Sequence, residues 1–212
     1  MTPDEALQQG LRALGVADGG GALEKLLRYT ELLAKWNRTY NLTAISDPLG
    51  MVTHHLLDSL SVVPHLPLAA EAAIADVGSG GGLPGIPIAI VKTHWRVTVN
   101  DASEKKAAFL RQAAIELGLP NLAVHEGRVE RWQPARRFSL VISRAFAELR
   151  EFIERSRHLL EPAGWLAAMK GTLSPDEIAA APKDWDCSRA IRLDVPFLAA
   201  ERHLVLCRRA AA

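Results

Sequence analysis

A glycine-rich turn over residues 78–85 most constrains how this chain can fold, because an apolar strand precedes it and an apolar helix follows it. The run from Ile74 to Val77 predicts a short buried strand with an acid, Asp76, near its end. Five glycines fall within residues 78–85, so the backbone there can adopt positive φ and approach a ligand closely. Residues 86–91 predict a helix with Pro87 in its first turn. A strand, a glycine loop and a helix in this order are typical of an open α/β sheet that binds an adenosine-containing cofactor.

Two adenosine-containing cofactors compete for this loop. Gly80-x-Gly82-x-x-Gly85 fits the dinucleotide pattern, and Asp101 lies near the ~20-residue offset expected of a ribose-binding acid. Asp76, however, stands two residues before the first glycine, where it would repel a pyrophosphate and attract the ammonium and sulfonium groups of S-adenosylmethionine (SAM). This placement of charge favours SAM. The predicted cofactor contacts in the loop are Asp76, Gly78, Ser79, Gly80 and Leu83.

Composition and charge exclude several classes of protein. The chain has 212 residues and a formal net charge of +1, so it has no global basic field, and contacts with nucleic acid must come from a local patch. Cys187 and Cys207 match no metal-ligand spacing and predict two reduced thiols. The first residues lack a positively charged leader, and no apolar run approaches the ~20 residues of a membrane span. We therefore expect a cytoplasmic protein without a metal site or a membrane segment.

The first third of the chain predicts helices, whereas the remainder predicts a sheet. We expect residues 1–66 to form a helical extension packed on a core of residues 67–212, the two making one structural domain. Residues 35–43 mix cations, amides and aromatic rings, which is typical of an RNA-facing surface; its candidate contacts are Lys35, Asn37, Arg38 and Tyr40. The alternative is an amphipathic helix whose Trp36 and Tyr40 are core residues. Nothing in the residues favours a dimer, since no long heptad pattern is present.

The second and third strands add predicted cofactor contacts. Residues 95–101 form a strand that ends in Asp101, which with the adjacent Ala102 is placed to bind the ribose. Ser103 is expected to cap the next helix. After the strand at residues 122–125, Val129 and Glu130 occupy the position that faces an adenine in such folds, although Glu130 could instead supply charge to a helix N-terminus.

The fourth strand, over residues 138–143, opens onto Arg144 at the edge of the sheet where ligands bind. Arg144 is therefore a candidate for positioning the reacting groups and for contacting the cofactor, and the alternative is an ion pair with Glu148. The strand at residues 164–170 follows. Residues 191–195 and 203–207 are expected to close the sheet as an antiparallel pair.

Several acceptors for a methyl group are excluded by what the sequence lacks. Residues 143–146 stand where amino-methyltransferases carry an Asn/Asp-Pro-Pro-aromatic loop, and the cysteines lie too late in the chain to act as a nucleophile for carbon methylation. A ring nitrogen with a free lone pair, such as guanine N7, needs mainly positioning. Residues 128–157 hold eight arginines against four acids, which favours a phosphate-bearing substrate near the active edge. Arg128 and Lys170 are further candidate RNA contacts.

Five motifs together resemble one family, the bacterial 16S rRNA guanine-N7 methyltransferases, also called glucose-inhibited division protein B or the methyltransferase G family. The motifs are Asp76 to Gly85, Trp36-Asn37-x-x-Tyr40-Asn41-Leu42-Thr43, His55-Leu56-Leu57-Asp58-Ser59, Ser143-Arg144-Ala145-Phe146-Ala147 and Lys170-Gly171. The resemblance implies an α/β class I SAM-dependent methyltransferase, Rossmann-like, with a mostly parallel seven-strand sheet and an N-terminal helical extension. It also implies SAM as donor, S-adenosylhomocysteine as product, and a guanine of the small ribosomal subunit, near its decoding centre, as acceptor.

By motif position, the family's cofactor contacts fall on Gly78, Leu83, Val129, Glu130 and Arg144. Two other classes remain open on the residues alone. A dinucleotide-dependent oxidoreductase would bind NAD in preference to SAM, and a SAM-binding sensor would hold the cofactor without transferring a methyl group.

Overall fold

A seven-stranded sheet forms the centre of the chain, of which the computed structural model describes residues 1–17, 20–144, 146 and 148–210. The strand order is β3-β2-β1-β4-β5-β7-β6. The strands are β1 (Ala73–Val77), β2 (Arg96–Asp101), β3 (Leu122–Glu126), β4 (Phe138–Ser143), β5 (Leu160–Lys170), β6 (Trp185–Arg192) and β7 (His203–Arg209). Neighbouring strands among β1 to β5 are parallel, while β7 runs antiparallel to β5 and β6. This confirms the predicted α/β sheet.

Helices cover both faces of the sheet, as a parallel sheet requires. They are α1 (Pro3–Ala13), α2 (Ala22–Tyr40), α3 (Pro48–Met51), α4 (Asp58–Leu60), α5 (Gly85–Val91), α6 (Glu104–Glu116), α7 (Leu149–Ser156) and α8 (Pro175–Ala179). Alternate residues of one strand serve opposite faces: Ile74 packs in a cluster with α5 and α6, whereas Ala75 and Val77 pack in a second cluster with α7. The sheet thus forms the middle of three layers.

The helices before β1 share the larger apolar cluster. Leu7 of α1 and Leu26 and Leu33 of α2 are fully buried in the same cluster as Ile86 and Phe109 of the α/β core. This continuity supports one structural domain. The boundary at residue 66 between an extension and a core stays a prediction.

Within the predicted helical extension, residues 50–65 do not form one regular α-helix. A π-helical segment, Val52–Leu57, separates α3 from α4, and a 3₁₀ turn, Val63–His65, follows. π-helical segments inside helices are frequent at functional sites, because the extra residue redirects neighbouring side chains. Here the segment and the residue after it supply His54, His55 and Asp58 to one edge of the sheet.

The last strands also differ from expectation. β6 ends at Arg192, so the strand expected at residues 191–195 in fact begins at Trp185. The prediction of two reduced thiols is wrong, since Cys187 and Cys207 form a disulfide between β6 and β7, with their Cα atoms 4.2 Å apart. The two cysteines are 20 residues apart on the chain, and antiparallel pairing of the two strands brings them together. Their spacing in the sequence does not reveal this contact.

In the part of the chain that the structure describes, no helix is long and apolar enough to cross a membrane. In the same residues, no group of three or more His, Cys, Asp or Glu side chains could hold a metal ion.

Candidate active site

The glycine loop lies at the carboxyl end of β1, beside the point where the strand order reverses between β1 and β4. Gly80 has a φ of +58°, a left-handed conformation that strains any L side chain. A Cβ placed on Gly80 would meet no atom within 4 Å, so its open side faces free space. A ligand can therefore approach the backbone of the loop at this residue.

Ser79 holds the loop to the neighbouring strand. Its N–H donates to the carbonyl oxygen of Asn100 at 2.9 Å, and its Oγ accepts from the N–H of Asn100 at 3.1 Å. The same Oγ donates to the backbone oxygen of Asp76 at 2.8 Å. Ser79 is 3% exposed, so its side chain supports the turn from inside the protein.

Asp76 is fully buried beneath the loop. Its Oδ2 accepts from the N–H of Gly85 at 2.8 Å, which joins the end of β1 to the start of α5, while Oδ1 has no hydrogen-bond partner among the described residues. Burial raises the pKa of Asp76 to about 7, an effect that the Gly85 hydrogen bond opposes. An unpaired carboxylate oxygen in this position suits the cationic amino acid end of SAM.

Asp101 ends β2 next to the glycine loop. Its Oδ2 accepts from the N–H of Gly80 at 3.0 Å, and Lys106 Nζ lies 3.7 Å away. Its Oδ1 accepts from the N–H of Ser103, the N-cap residue of α6, at 2.9 Å, and the side chain of Ser103, expected to cap the helix, makes no capping hydrogen bond. Each carboxylate oxygen retains a second acceptor site that a ribose hydroxyl could use. Ala102 is exposed beside it.

The side chain of Asn100 joins β2 to the end of β3 and to the segment after it. The side-chain amide of Asn100 donates to the carbonyl oxygens of His125 and Gly127, at 3.1 and 2.8 Å. A 3₁₀ turn, Val129–Arg131, follows; Val129 is buried, whereas the exposed Glu130 pairs with Arg155 at 2.6 Å. The two hydrogen bonds of Asn100 order the backbone just before Val129 and Glu130, the residues predicted to face the adenine.

Arg144, just beyond β4, is held by residues far away on the chain. Its Nη1 donates to Oδ2 of Asp58 at 3.1 Å and to the carbonyl oxygen of His54 at 3.2 Å. Oδ1 of Asp58 accepts from Nε of Arg202 at 2.9 Å, so one carboxylate, 2% exposed, joins two guanidinium groups. The alternative of an Arg144–Glu148 ion pair is wrong: the π-helical segment and α4 bring Asp58 to Arg144 instead.

Comparison with known proteins assigns this site to a family. A family model described as "GidB: rRNA small subunit methyltransferase G" matches residues 22–205. The chain belongs to the GidB family. A curated relative from Burkholderia ambifaria, named "Ribosomal RNA small subunit methyltransferase G", is 50% identical over 206 residues, covering 95% of this chain and 90% of the relative.

Solved structures share the fold of this GidB-family chain at low sequence identity. The ribosomal protein L11 methylase of Lactobacillus delbrueckii subsp. bulgaricus has a TM-score of 0.56 at 17% identity, covering 73% of this chain and 77% of its own. A SAM-dependent methyltransferase from Thiobacillus denitrificans, in complex with S-adenosyl-L-homocysteine, has a TM-score of 0.54 at 11% identity, covering 86% and 98%. The chain is a class I SAM-dependent methyltransferase with SAM as its donor, and the oxidoreductase alternative is wrong.

A cavity of about 350 Å³ opens beside Arg144 at the ends of β4 and β5, and we call it the acceptor pocket. Its polar lining is mostly basic: Arg144, Lys170 and Arg202, with the imidazoles of His54, His55 and His203. Asp58 is the single acid among the described residues that line it, and both of its oxygens are ion-paired. Burial, and secondarily Arg144, lowers the pKa of His55 to about 4, so its ring is neutral at physiological pH.

The predicted RNA contacts do not all remain available to RNA in this GidB-family structure. Lys35, Arg38, Tyr40 and Arg128 are exposed. Asn37, in contrast, accepts from the N–H of Thr43 at 2.8 Å. Lys170 is 8% exposed, pairs with Glu177 at 2.6 Å and donates to the carbonyl oxygen of Phe146 at 3.1 Å.

The alternative reading of this surface is partly correct. Trp36 packs against the main core cluster and against Phe109, with ring centroids 5.6 Å apart, whereas Tyr40 remains 40% exposed. One of the two aromatic residues is thus structural, and the other presents its ring to solvent.

The arginine-rich run at residues 128–157 is divided by the fold. Arg128 and Arg144 lie near the carboxyl edge of the sheet, as expected. Arg150 and Arg155 of α7 form ion pairs with Glu154 and with Glu130 and Glu151. Arg136, Arg137 and Arg157 instead lie at the opposite, amino edge, so only part of the surplus charge flanks the active edge.

Sequence reasoning missed four residues that build the site. Tyr29 of α2 is fully buried and donates from its hydroxyl to the carbonyl oxygen of Gly81 at 2.5 Å, 52 residues away. Asn100 and Arg202 have no motif around them, although a polar residue inside a strand, as at Asn100, is a usable signal. Asp58 belongs to one of the five family motifs, but only the structure shows that it holds Arg144, while Tyr29 contacts the glycine loop.

Proposed function

We propose that this chain transfers the methyl group of SAM to N7 of a guanine in 16S rRNA, near the decoding centre of the small ribosomal subunit. Family membership supports small-subunit rRNA as the substrate. The acceptor pocket supports a nucleotide acceptor most directly, because its three basic side chains have two acidic partners among the described residues: Arg144 and Arg202 share Asp58, and Lys170 pairs with Glu177. Such a lining suits an anionic substrate and would disfavour a cationic amine.

The chemistry of N7 matches a pocket of this kind. When bound, SAM would supply an electrophilic methyl group to the N7 lone pair, with S-adenosylhomocysteine as the leaving group. The positive charge moves to the base, and no proton has to leave. The residues of the chain therefore need chiefly to orient the base and exclude water. Arg144, held by Asp58 and the His54 carbonyl at the mouth of the pocket, is our positioning residue.

The cofactor contacts we propose follow the carboxyl ends of three strands. The loop contributes the backbone of Gly78, Gly80 and Leu83 above the unpaired Oδ1 of Asp76. Asp101 and Ala102 are assigned to the ribose, and Ser79 acts through the shape of the loop. Val129 and Glu130 are assigned to the adenine; the ion pair of Glu130 with Arg155 makes the backbone N–H of Val129 the stronger of the two contacts.

The RNA contacts we propose are the exposed ones. Lys35, Arg38 and Tyr40 lie on α2, the helix whose Tyr29 contacts the glycine loop, and Arg128 follows β3. These residues offer two cations and one exposed ring on α2 and a third cation after β3. Asn37 and Lys170 are assigned to holding the local backbone and Glu177. We propose that a single copy of the chain carries the whole site.

The deciding experiment measures transfer of labelled methyl from SAM to unmodified small ribosomal subunits and, in parallel, to naked 16S rRNA. Mass analysis of nucleosides should identify the product as 7-methylguanosine. A labelled base other than 7-methylguanosine would contradict the proposed acceptor. Binding of SAM without transfer to either substrate would favour the sensor alternative.

A further inference from the structure

A basic cleft lies at the amino edge of the sheet, on the opposite side from the glycine loop. It has a volume of about 490 Å³ and lies where β4 and β5 begin and β7 ends. Arg137, Arg157 and Arg209 line it, with His158 beside them, and all four side chains are exposed. We call it the amino-edge cleft.

The three arginines of the cleft are not neutralised by the protein. None of them forms an ion pair within the part of the chain that the structure describes. Glu161 is the single acid among the described residues of the lining. By contrast, Arg150 and Arg155 of the nearby α7 are both paired with acids. Three guanidinium groups converging without partners are typical of an anion-binding surface.

The basic surface extends beyond a single anion site. A second cavity, of about 650 Å³, shares Arg137 and Glu161 with the cleft and adds Arg96 and Arg136. Five arginines therefore lie along two joined cavities, with Glu161 as the acid common to both. An elongated row of cations fits a chain of phosphates better than it fits one small anion.

We propose that the amino-edge cleft binds the phosphodiester backbone of rRNA at a distance from the methylated base. This inference rests on the proposed rRNA substrate and adds a second contact to it. β5 joins the two sites, since Leu160 lines the cleft and Lys170 lines the acceptor pocket. The six residues of β4 span about 17 Å between the two edges. An RNA that occupies both sites must therefore span at least this distance across the surface of the protein.

The test compares R137A/R157A/R209A with two matched variants. R189A removes an exposed arginine of β6 that does not line the cleft, and R137K/R157K/R209K retains the charge. For each protein, the affinity for small subunits is measured across a range of salt concentrations, together with KM and kcat for methyl transfer and the affinity for SAM.

We expect the alanine variant to bind subunits roughly tenfold more weakly, with a log–log salt dependence shallower by about two to three. KM should rise while kcat and SAM affinity stay within about twofold, because the cleft does not touch the reacting groups. The lysine variant should resemble the wild type. The proposal is overturned if the alanine variant has the same salt dependence and KM as R189A.

Failure of the proposed function and failure of the cleft proposal give different experimental results. If the wild type transfers no methyl group to subunits, the function proposal fails, while the salt dependence of binding still decides the cleft. If the triple alanine variant loses SAM affinity, R209A alone replaces it, since Arg209 is exposed at the end of the last strand. A salt dependence shallower by about one then supports the cleft, and an unchanged one overturns it.

Discussion

The two halves of the active edge are built in different ways. On the cofactor side, Ser79, Asp76 and Asp101 hold the loop after β1 through partners no more than 21 residues away, and Tyr29 adds one contact across 52 residues. On the acceptor side, Asp58 reaches Arg144 across 86 residues and Arg202 across 144 residues. The cofactor half is therefore a local construction, whereas the acceptor half exists only when distant segments meet. Substitutions in the two halves should separate cofactor binding from methyl transfer.

The largest expected effect is on the acceptor side. Arg144→Ala should lower methyl-transfer turnover by about 100-fold or more, because the base loses its positioning group. SAM affinity should stay within about threefold, since the loop after β1 is intact. Steady-state transfer to subunits and calorimetric SAM binding measure the two effects. Arg150→Ala, which removes an exposed arginine of the same run, serves as the control, and unchanged turnover in Arg144→Ala would sink the assigned role.

A smaller effect is expected when the partner of Arg144 is changed. Asp58→Asn leaves both Arg144 and Arg202 without their counter-charge, so turnover should fall by about 30-fold and stability by about 2 kcal/mol. SAM affinity should again be nearly unchanged. Denaturant unfolding and transfer assays on the same preparation measure both effects. A stability loss with full turnover would mean that Asp58 supports the fold without orienting Arg144.

On the cofactor side, the expected signature is a dependence on pH. Because the pKa of Asp76 is about 7, SAM affinity should fall as pH drops below that value and level off about tenfold lower, where the carboxyl is protonated and cannot attract the ammonium group. Asp76→Asn should remove this dependence and bind about tenfold more weakly at pH 8. Calorimetry at several pH values tests this, and an equal slope in the Asn variant would assign the titration to another group.

The same pKa predicts a sign for stability. A folded-state pKa raised above the ordinary value of 3.8 means that the native protein holds the proton more tightly, so ionisation of Asp76 destabilises the fold as pH rises from about 4 to 7. His55 acts in the opposite direction, because its pKa is lowered from 6.5 to about 4 and its stabilising contribution is lost as pH falls through that window. The free energy of unfolding of the wild type should therefore fall relative to that of Asp76→Asn as pH rises from 4 to 7.

The smallest expected effect tests the link between the N-terminal helices and the loop. Tyr29→Phe removes the hydroxyl that donates to Gly81 and should cost about 1 kcal/mol of stability and weaken SAM binding by about twofold to threefold. Tyr40→Phe is the matched control, because Tyr40 is 40% exposed. If both variants bind SAM equally, α2 packs on the core without shaping the loop, which would favour treating residues 1–66 as a separable extension.

Much of the fold was predictable because its signals are local. Asp76, the glycines and Asp101 identify a strand, a loop and a second strand by order and spacing alone, and the parallel sheet follows from the alternation of strands and helices. The sequence does not show that the side chain of Ser79 supports the turn, since a serine in such a loop has the same sequence context in either role. Nor does it show that Lys170 pairs with Glu177, which no spacing rule connects to it. The cofactor contact of Ser79 and the RNA contact of Lys170 stay predictions.

The sequence by itself determined the sheet, the cofactor loop and the family, because each depends on residues close together in order. Only the tertiary structure decided which side chains share the acceptor pocket, that Cys187 meets Cys207, and that Arg137, Arg157 and Arg209 gather at the opposite edge. Strand pairing brings the cysteines together, and the π-helical segment Val52–Leu57 brings His54, His55 and Asp58 to the acceptor pocket. Contacts between distant segments follow from packing free energy over the whole core, and a linear pattern does not record them.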